Sequence, residues 1–295
     1  MANANLSVGA VLHLSVLSAL RVGALFALVL LGATAAHAQP VKELPPPTAA
    51  QLIPTLVEFR DGLIKSDAAV DALLDKTYRE QLSTEQRDVM RRYVRTIMSS
   101  DAYIGYVARA AAGAAKAEMS LSDVKAVVAN SVVTLQVKGL ARMPAEAKLK
   151  FAQHLAAAVR SVSPSTCKAL FNGQLSTLES SAVEVHFLLS LPTERLSDIV
   201  TMYAESALAE LNDYPSKSIV TAEESRLADG AYRSAMRKRM QATLDSETIA
   251  YFAKEGLKGD AQAVCPVMLT ALDALQDLDE PFRTWKLTAF VDSMQ

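Results

Sequence analysis

The chain has 295 residues, of which 51% are hydrophobic and 6% aromatic, and it carries 30 basic and 32 acidic side chains. A formal net charge of −2 gives no electrostatic reason to expect nucleic acid as a partner, because nucleic-acid-binding proteins concentrate basic charge. Abundant alanine and few aromatic residues are typical of a helical protein and argue against a β-sandwich or a barrel.

Residues 1–38 have the pattern of an export signal. Arg21 precedes the apolar run Val22–Ala33, and the small residues Ala36 and Ala38 stand where a signal peptidase cuts. Secretory signals combine a basic residue, about 7–15 apolar residues and a small-residue cleavage site. We therefore predict a signal peptide cleaved after Ala38 and a periplasmic or secreted mature chain of 257 residues with a formal charge of −3.

The alternative for this segment is an anchor that stays in the membrane. Residues 9–36 are nearly all apolar, and about 20 apolar residues are enough to span a bilayer. Because Arg21 interrupts the run and shortens it to signal length, we expect no stable membrane span after cleavage. The nearly neutral mature chain also lacks a strong attraction to anionic membranes.

Residues 39–48 contain four prolines, a composition that predicts an extended, proline-rich spacer. Helical periodicity starts near Ala49 and continues almost to the C-terminus. Residues 49–295 are therefore predicted to form one all-helical domain. Capping boxes mark two helix starts, namely Ser83 with Gln86 and Thr221 with Glu224.

The spacing of apolar residues predicts an all-α fold, either a multi-helix bundle or an irregular helical array, with about ten helices. Pro164 and Gly173 bracket a short helix, since proline favours the first helical position and glycine the position after the end. From Thr221 the pattern predicts one long helix towards Gly256. Leu121–Lys138 fits both a helical stripe and strand-like alternation, and we interpret it as a helix because no neighbouring segment would pair with a strand.

Two cysteines, Cys167 and Cys265, remain in the mature chain. An even number of cysteines in an exported chain favours a disulfide, and only one intramolecular pairing exists. We therefore predict a Cys167–Cys265 bridge. The alternative is a pair of buried free thiols.

We predict no catalytic residue, no cofactor and no metal site. The mature chain has two histidines, His154 and His186, and neither lies in a zinc-binding or metalloprotease motif. Their apolar surroundings favour packed or partly exposed side chains. Glycine-rich phosphate-binding loops and the Gly-x-Ser-x-Gly motif are also absent from the sequence.

One nucleophile pattern does occur, because Ser165 and Lys168 form a Ser-x-x-Lys arrangement at a helix start, as in penicillin-binding proteins. Ser122 and Lys125 repeat the pattern, which shows how easily it arises. Enzymes of that kind also need a central antiparallel sheet, for which the sequence offers no strands. We therefore expect Ser163 or Ser165 to cap the helix and Lys168 to be solvated.

Two basic clusters are candidates for binding an acidic partner protein or an anionic envelope glycan or lipid. The alternative is an ordinary solvated helix face with acidic neighbours such as Glu80, Glu85 and Asp245. The predicted interaction patch combines the first cluster with three tyrosines, which could equally pack between helices: Arg87, Arg91, Arg92, Arg95, Tyr93, Tyr103 and Tyr106. The second cluster consists of Arg233, Arg237, Lys238 and Arg239.

These patterns lead to a functional hypothesis without an enzymatic activity. We expect an exported protein-interaction protein of the bacterial-type envelope, acting as an adaptor, inhibitor or immunity-type protein with another envelope protein as its partner. One alternative is a carrier whose helices enclose an apolar small ligand. A further alternative is an envelope hydrolase that uses Ser165 and Lys168. The sequence leaves the oligomeric state open.

Overall fold

The computed structural model describes residues 46–78, 81–116, 134–175 and 177–294. These residues are all-α and contain no strand, which confirms the predicted fold class. The predicted signal peptide, residues 1–38, lies outside the described residues, as do residues 39–45 of the predicted spacer. Most of the predicted helix Leu121–Lys138 also lies outside them, while residues 134–140 are helical.

The remaining α-helices are numbered here in chain order, and short 3₁₀ turns follow two of them. The helices are α1 (Ala49–Lys65), α2 (Asp67–Tyr78), α3 (Thr84–Met98), α4 (Asp101–Lys116), α5 (Ala145–Arg160), α6 (Pro164–Phe171), α7 (Thr177–Ser190), α8 (Thr193–Leu211), α9 (Ala222–Thr243), α10 (Ser246–Glu255), α11 (Ala261–Asp273) and α12 (Phe282–Asp292). The 3₁₀ turns are Gly256–Lys258 and Ala274–Asp277.

The chain divides into two compact units. The N-terminal unit comprises the described residues up to Gly139 together with Leu188–Pro215, and the C-terminal unit comprises Leu140–Phe187 and Ser216–Gln295. Each unit has its own buried apolar core. That residues 49–295 form one domain stays a prediction.

In the N-terminal unit, α3 packs along α8, α1 packs along α4, and α2 contacts both α1 and α3. Large apolar side chains such as Leu74, Met90 and Ile104 fill the space between these helices. The helical segment 134–140 passes so close to α8 that a Cβ at Gly139 would overlap the carbonyl oxygen of Ser206. Only glycine fits at that crossing.

In the C-terminal unit, α11 packs against α5, α6 and α10, while α9 packs along α12. Phe151 and Leu287 are completely buried in this core. A disulfide between Cys167 and Cys265 joins α6 to α11 across a Cα–Cα distance of 5.9 Å, and both cysteines are buried. The predicted pairing is therefore confirmed.

The helix starts follow the predicted capping chemistry, but one predicted helix is wrong in extent. Ser83 and Thr221 both form complete capping boxes, each with its Oγ atom accepting from the backbone N–H three residues later. The long helix predicted from Thr221 towards Gly256 instead ends at Thr243. Asp245 interrupts it because its carboxylate accepts from the Thr248 N–H, at 2.7 Å, and so caps a new helix, α10.

Removing the disulfide tests how far the C-terminal unit depends on it. Replacing both cysteines by alanine opens a loop whose ends are 98 residues apart in sequence. We expect the free energy of unfolding to fall by about 4–5 kcal/mol in the chain-entropy model, since the unfolded chain regains the freedom that the bridge removed. Urea denaturation followed by circular dichroism measures the change, and reduced wild-type protein should match the double variant. An unchanged unfolding midpoint would contradict the assigned role of the bridge.

Candidate functional site

The first basic cluster lies on α3 and faces the aspartates of α2. Arg91 Nη2 lies 2.5 Å from Asp71 Oδ2, and Arg87 Nη1 lies 2.7 Å from Asp75 Oδ1. Arg95 pairs with Asp67 one turn further along. We call this set of three pairs the Asp–Arg ladder: Asp67 with Arg95, Asp71 with Arg91, and Asp75 with Arg87.

The Asp–Arg ladder arises from matched spacing on two neighbouring helices. The aspartates of α2 and the arginines of α3 each recur every four residues, so each set lines one face of its helix. The guanidinium group of Arg91 lowers the pKa of Asp71 through its hydrogen bonds, and Asp71 raises the pKa of Arg91 in return. Three of the four arginines in the predicted patch are therefore neutralised within the N-terminal unit.

The rest of the predicted patch does not form one surface either. Arg92 is exposed, whereas Tyr93 is buried and its hydroxyl accepts a hydrogen bond of 2.8 Å from Gln136. Tyr103 is 1% exposed, and burial raises the pKa of its hydroxyl. Tyr106 is half-buried. Both Tyr93 and Tyr103 thus follow the alternative in which the tyrosines pack between helices.

The second basic cluster lies on α9, and its members differ in environment. Arg239 is half-buried and pairs with Asp277 at 2.7 Å and with Asp273 at 3.4 Å. Arg233, Arg237 and Lys238 are exposed, and no ion pair forms between them and any residue of the described parts of the chain. We call these three side chains the basic face of α9.

The Ser-x-x-Lys pair lies on α6, where Ser165 and Lys168 each form a hydrogen bond with a different group. Ser163 caps α6 by accepting from the Thr166 N–H, and its hydroxyl lies 2.9 Å from that of Ser165. Lys168 donates to the backbone carbonyl oxygen of Gly259, with Nζ 2.6 Å away. Lys168, which we expected to be solvated, is half-buried, and its ammonium group links α6 to the turn that precedes α11.

The two histidines have opposite environments. His154 is buried on α5, with its ring centroid 5.0 Å from that of Phe187, and burial lowers its pKa to about 4. Its imidazole is thus neutral at physiological pH. His186 is exposed on α7. Across the described residues, no group of three or more histidine, cysteine, aspartate or glutamate side chains is placed to hold a metal ion.

Lys148 is a buried charged residue that the sequence analysis missed. Its side chain lies between α5 and α12, is 2% exposed, and donates a hydrogen bond of 2.9 Å to the Thr288 hydroxyl. Burial lowers the pKa of Lys148, and nearby Asp292 opposes that shift. A signal was present, because Lys148 precedes Phe151, Ala152 and Leu155 at helical spacing and so lies on the apolar face of α5.

No described helix combines the length and apolar character that crossing a bilayer demands. No family model, no curated protein and no solved structure matches this chain. Among the described residues, the basic face of α9 is the candidate functional site, because its three cations are exposed and form no ion pair.

Replacing Arg91 by Met tests the Asp–Arg ladder. The variant keeps an apolar stem but leaves Asp71 without its main partner, so we expect a lower urea midpoint at pH 7. A carboxylate with a lowered pKa stabilises the fold above its unfolded pKa, and that stabilisation is lost as the pH falls through the folded value. The difference from wild type should therefore shrink below about pH 4.

Arg92→Met serves as the matched control, because Arg92 is the exposed neighbour outside the ladder. Its midpoint should follow the wild type at every pH. Equal losses in Arg91→Met and Arg92→Met would refute a specific contribution from the ladder.

Replacing Lys148 by Met tests how the buried amine changes the free energy of unfolding. A lysine with a lowered folded pKa lets stability rise with pH between that pKa and the ordinary value of 10.5, because the unfolded state binds more protons there. Wild-type protein and the exposed-residue control Lys150→Met should share this rise, and Lys148→Met should lack it. The test is the free energy of unfolding of each protein measured from pH 7 to pH 10.5. If stability depends on pH in the same way for all three proteins, the lowered pKa of Lys148 is disproved.

Proposed function

We propose that this protein is an exported, non-enzymatic interaction protein of the bacterial-type envelope that binds an acidic partner protein through the basic face of α9. The observation that carries the proposal is the contrast between the two basic clusters. Three of the four arginines of α3 have aspartate partners within their own unit, whereas Arg233, Arg237 and Lys238 project from α9 into solvent.

The composition of this surface favours a protein as the partner. Two of its three cations are arginines, which are enriched in protein interfaces, whereas lysine is depleted there. Exposed apolar groups lie close to it in sequence, since Leu227 on α9 is 40% exposed and Ile219 just before the helix is 88% exposed. Apolar contacts surrounded by charge-matched pairs are the usual construction of a specific interface.

Export is supported by the N-terminal sequence pattern and by the disulfide. Bridges such as Cys167–Cys265 persist in the periplasm and outside the cell, whereas cytosolic reductants keep most thiols reduced. An envelope location also suits an interaction that depends on charge, since the partner would be found by diffusion and electrostatic steering.

The non-enzymatic assignment is supported by the position of Lys168. A serine nucleophile needs a base within hydrogen-bond reach, but the ammonium group of Lys168 donates its short hydrogen bond to the Gly259 carbonyl oxygen. Ser165 instead shares a hydrogen bond with Ser163 at the helix cap.

Charge reversal on α9 tests the proposed function. The mature wild-type chain and the variant Arg233→Glu/Arg237→Glu are immobilised and exposed to an envelope extract at physiological salt. We expect the wild type to retain an acidic protein in stoichiometric amount. The variant should retain at least about tenfold less of that protein, because like charges now face each other.

Lys138→Glu/Lys150→Glu is the matched control, since both lysines are exposed and the change in net charge is the same. This control should capture the partner as the wild type does. Capture that is equal for all three proteins, or absent for all three, would sink the proposal.

A further inference from the structure

A second exposed charged surface lies on α8, and its charge is opposite to that of α9. Glu194, Asp198 and Glu205 are all exposed and form no ion pair with other described residues. They are four and seven residues apart, so they share one face of the helix. We call these three residues the acidic stripe.

The exposed arginines of α9 repeat this spacing in the opposite direction. From the C-terminal side, Arg237, Arg233 and Arg226 are also four and seven residues apart, and all three are exposed. We call these three residues the basic stripe. An antiparallel helix pair in this register places Glu194 against Arg237, Asp198 against Arg233, and Glu205 against Arg226.

The protein already contains this kind of pairing. In the Asp–Arg ladder, acidic residues of α2 meet arginines of α3 in reversed order, so that the first aspartate, Asp67, pairs with the last arginine, Arg95. The ladder and the proposed contact between the stripes therefore both pair carboxylates with arginines on antiparallel helices. The residues of the two stripes form no ion pair with another described helix, and Arg226 pairs only with Glu223 within α9, at 2.5 Å.

Gly230 gives a second, independent reason to expect a helix against the basic stripe. It lies between Arg226 and Arg233, is exposed, and a Cβ added there would meet no atom within 4 Å. Glycine in the middle of a helix is unfavourable relative to alanine, and no contact among the described residues requires it. In the matched register Gly230 stands opposite Thr201, at the centre of the acidic stripe, where a small residue lets two helices approach closely.

We propose that the basic stripe of α9 binds the acidic stripe of α8 in a second copy of this chain. This inference rests on the proposed function, because it identifies the partner that the same surface of α9 binds. The contact joins two antiparallel helices over about 16 Å, which is eleven steps of 1.5 Å between the first and last residue of each stripe. Because it consists largely of exposed ion pairs, each of which contributes little, the association is weak and weakens further as salt increases.

A charge-swap experiment on the mature chain tests this assignment. Two variants are prepared, Arg233→Glu/Arg237→Glu on α9 and Glu194→Arg/Asp198→Arg on α8, and circular dichroism verifies that both are folded. Analytical ultracentrifugation over a concentration series then gives the dissociation constant of each variant and of their equimolar mixture, at low salt and in 0.5 M NaCl.

We expect the wild type to associate reversibly at low salt and each variant alone to associate at least about tenfold more weakly, since its two stripes then carry like charge. The mixture should recover association, because each reversed stripe meets an oppositely charged one. The control Lys138→Glu/Lys150→Glu should behave as the wild type, and Gly230→Leu should weaken association without changing any charge.

Three outcomes would overturn the inference: a wild type that stays monomeric at every concentration, variants that associate as the wild type does, or a mixture that recovers nothing. Each of these leaves the proposed function separately testable. If the envelope extract still yields a partner whose capture depends on Arg233 and Arg237, the surface binds another protein and only the identity of the partner is wrong.

Discussion

Charge compensation between neighbouring helices is the interaction that distinguishes the structural surfaces of this protein from the candidate functional one. On α2 and α3, carboxylates and guanidinium groups recur at the same spacing and meet in pairs, of which Asp71 with Arg91 is the central one. On α9 the arginines have the same kind of spacing, but Arg233 and Arg237 meet no acidic group in the described parts of the chain. Both the proposed function and the proposed partner follow from this asymmetry.

Local chemistry made much of the fold predictable. The capping boxes at Ser83 and Thr221 were visible because a cap needs only residues three apart, and the disulfide followed because two cysteines allow one pairing. Helix continuity was harder to predict. Asp245 stops the predicted long helix because its side chain competes for backbone N–H groups, whereas Pro54 and Pro266 lie within α1 and α11 without ending them. Helix propensity alone does not show which of these helix-breaking residues ends a helix, because tertiary packing decides which of them are tolerated.

The site was less predictable, because pairing depends on tertiary register. Glu80, Glu85 and Asp245 are the acidic residues near the basic clusters in sequence, yet Asp71 of α2 is the partner of Arg91. Two basic clusters that look alike in sequence therefore differ once the helices pack. The recurrence of aspartates every four residues on α2, opposed to arginines every four on α3, was a usable signal, and so was Lys148 on the apolar face of α5.

Residue-resolved labelling of arginine tests the central claim most directly. The mature chain is treated with phenylglyoxal at low and at high protein concentration, and the modified peptides are quantified by mass spectrometry. Arg91, held by Asp71, should react slowly at both concentrations. Arg233 and Arg237 should react rapidly in dilute protein and slowly in concentrated protein, where a second copy covers them. Labelling of Arg91 as fast as that of Arg233, or labelling of Arg233 that is independent of concentration, would contradict the account.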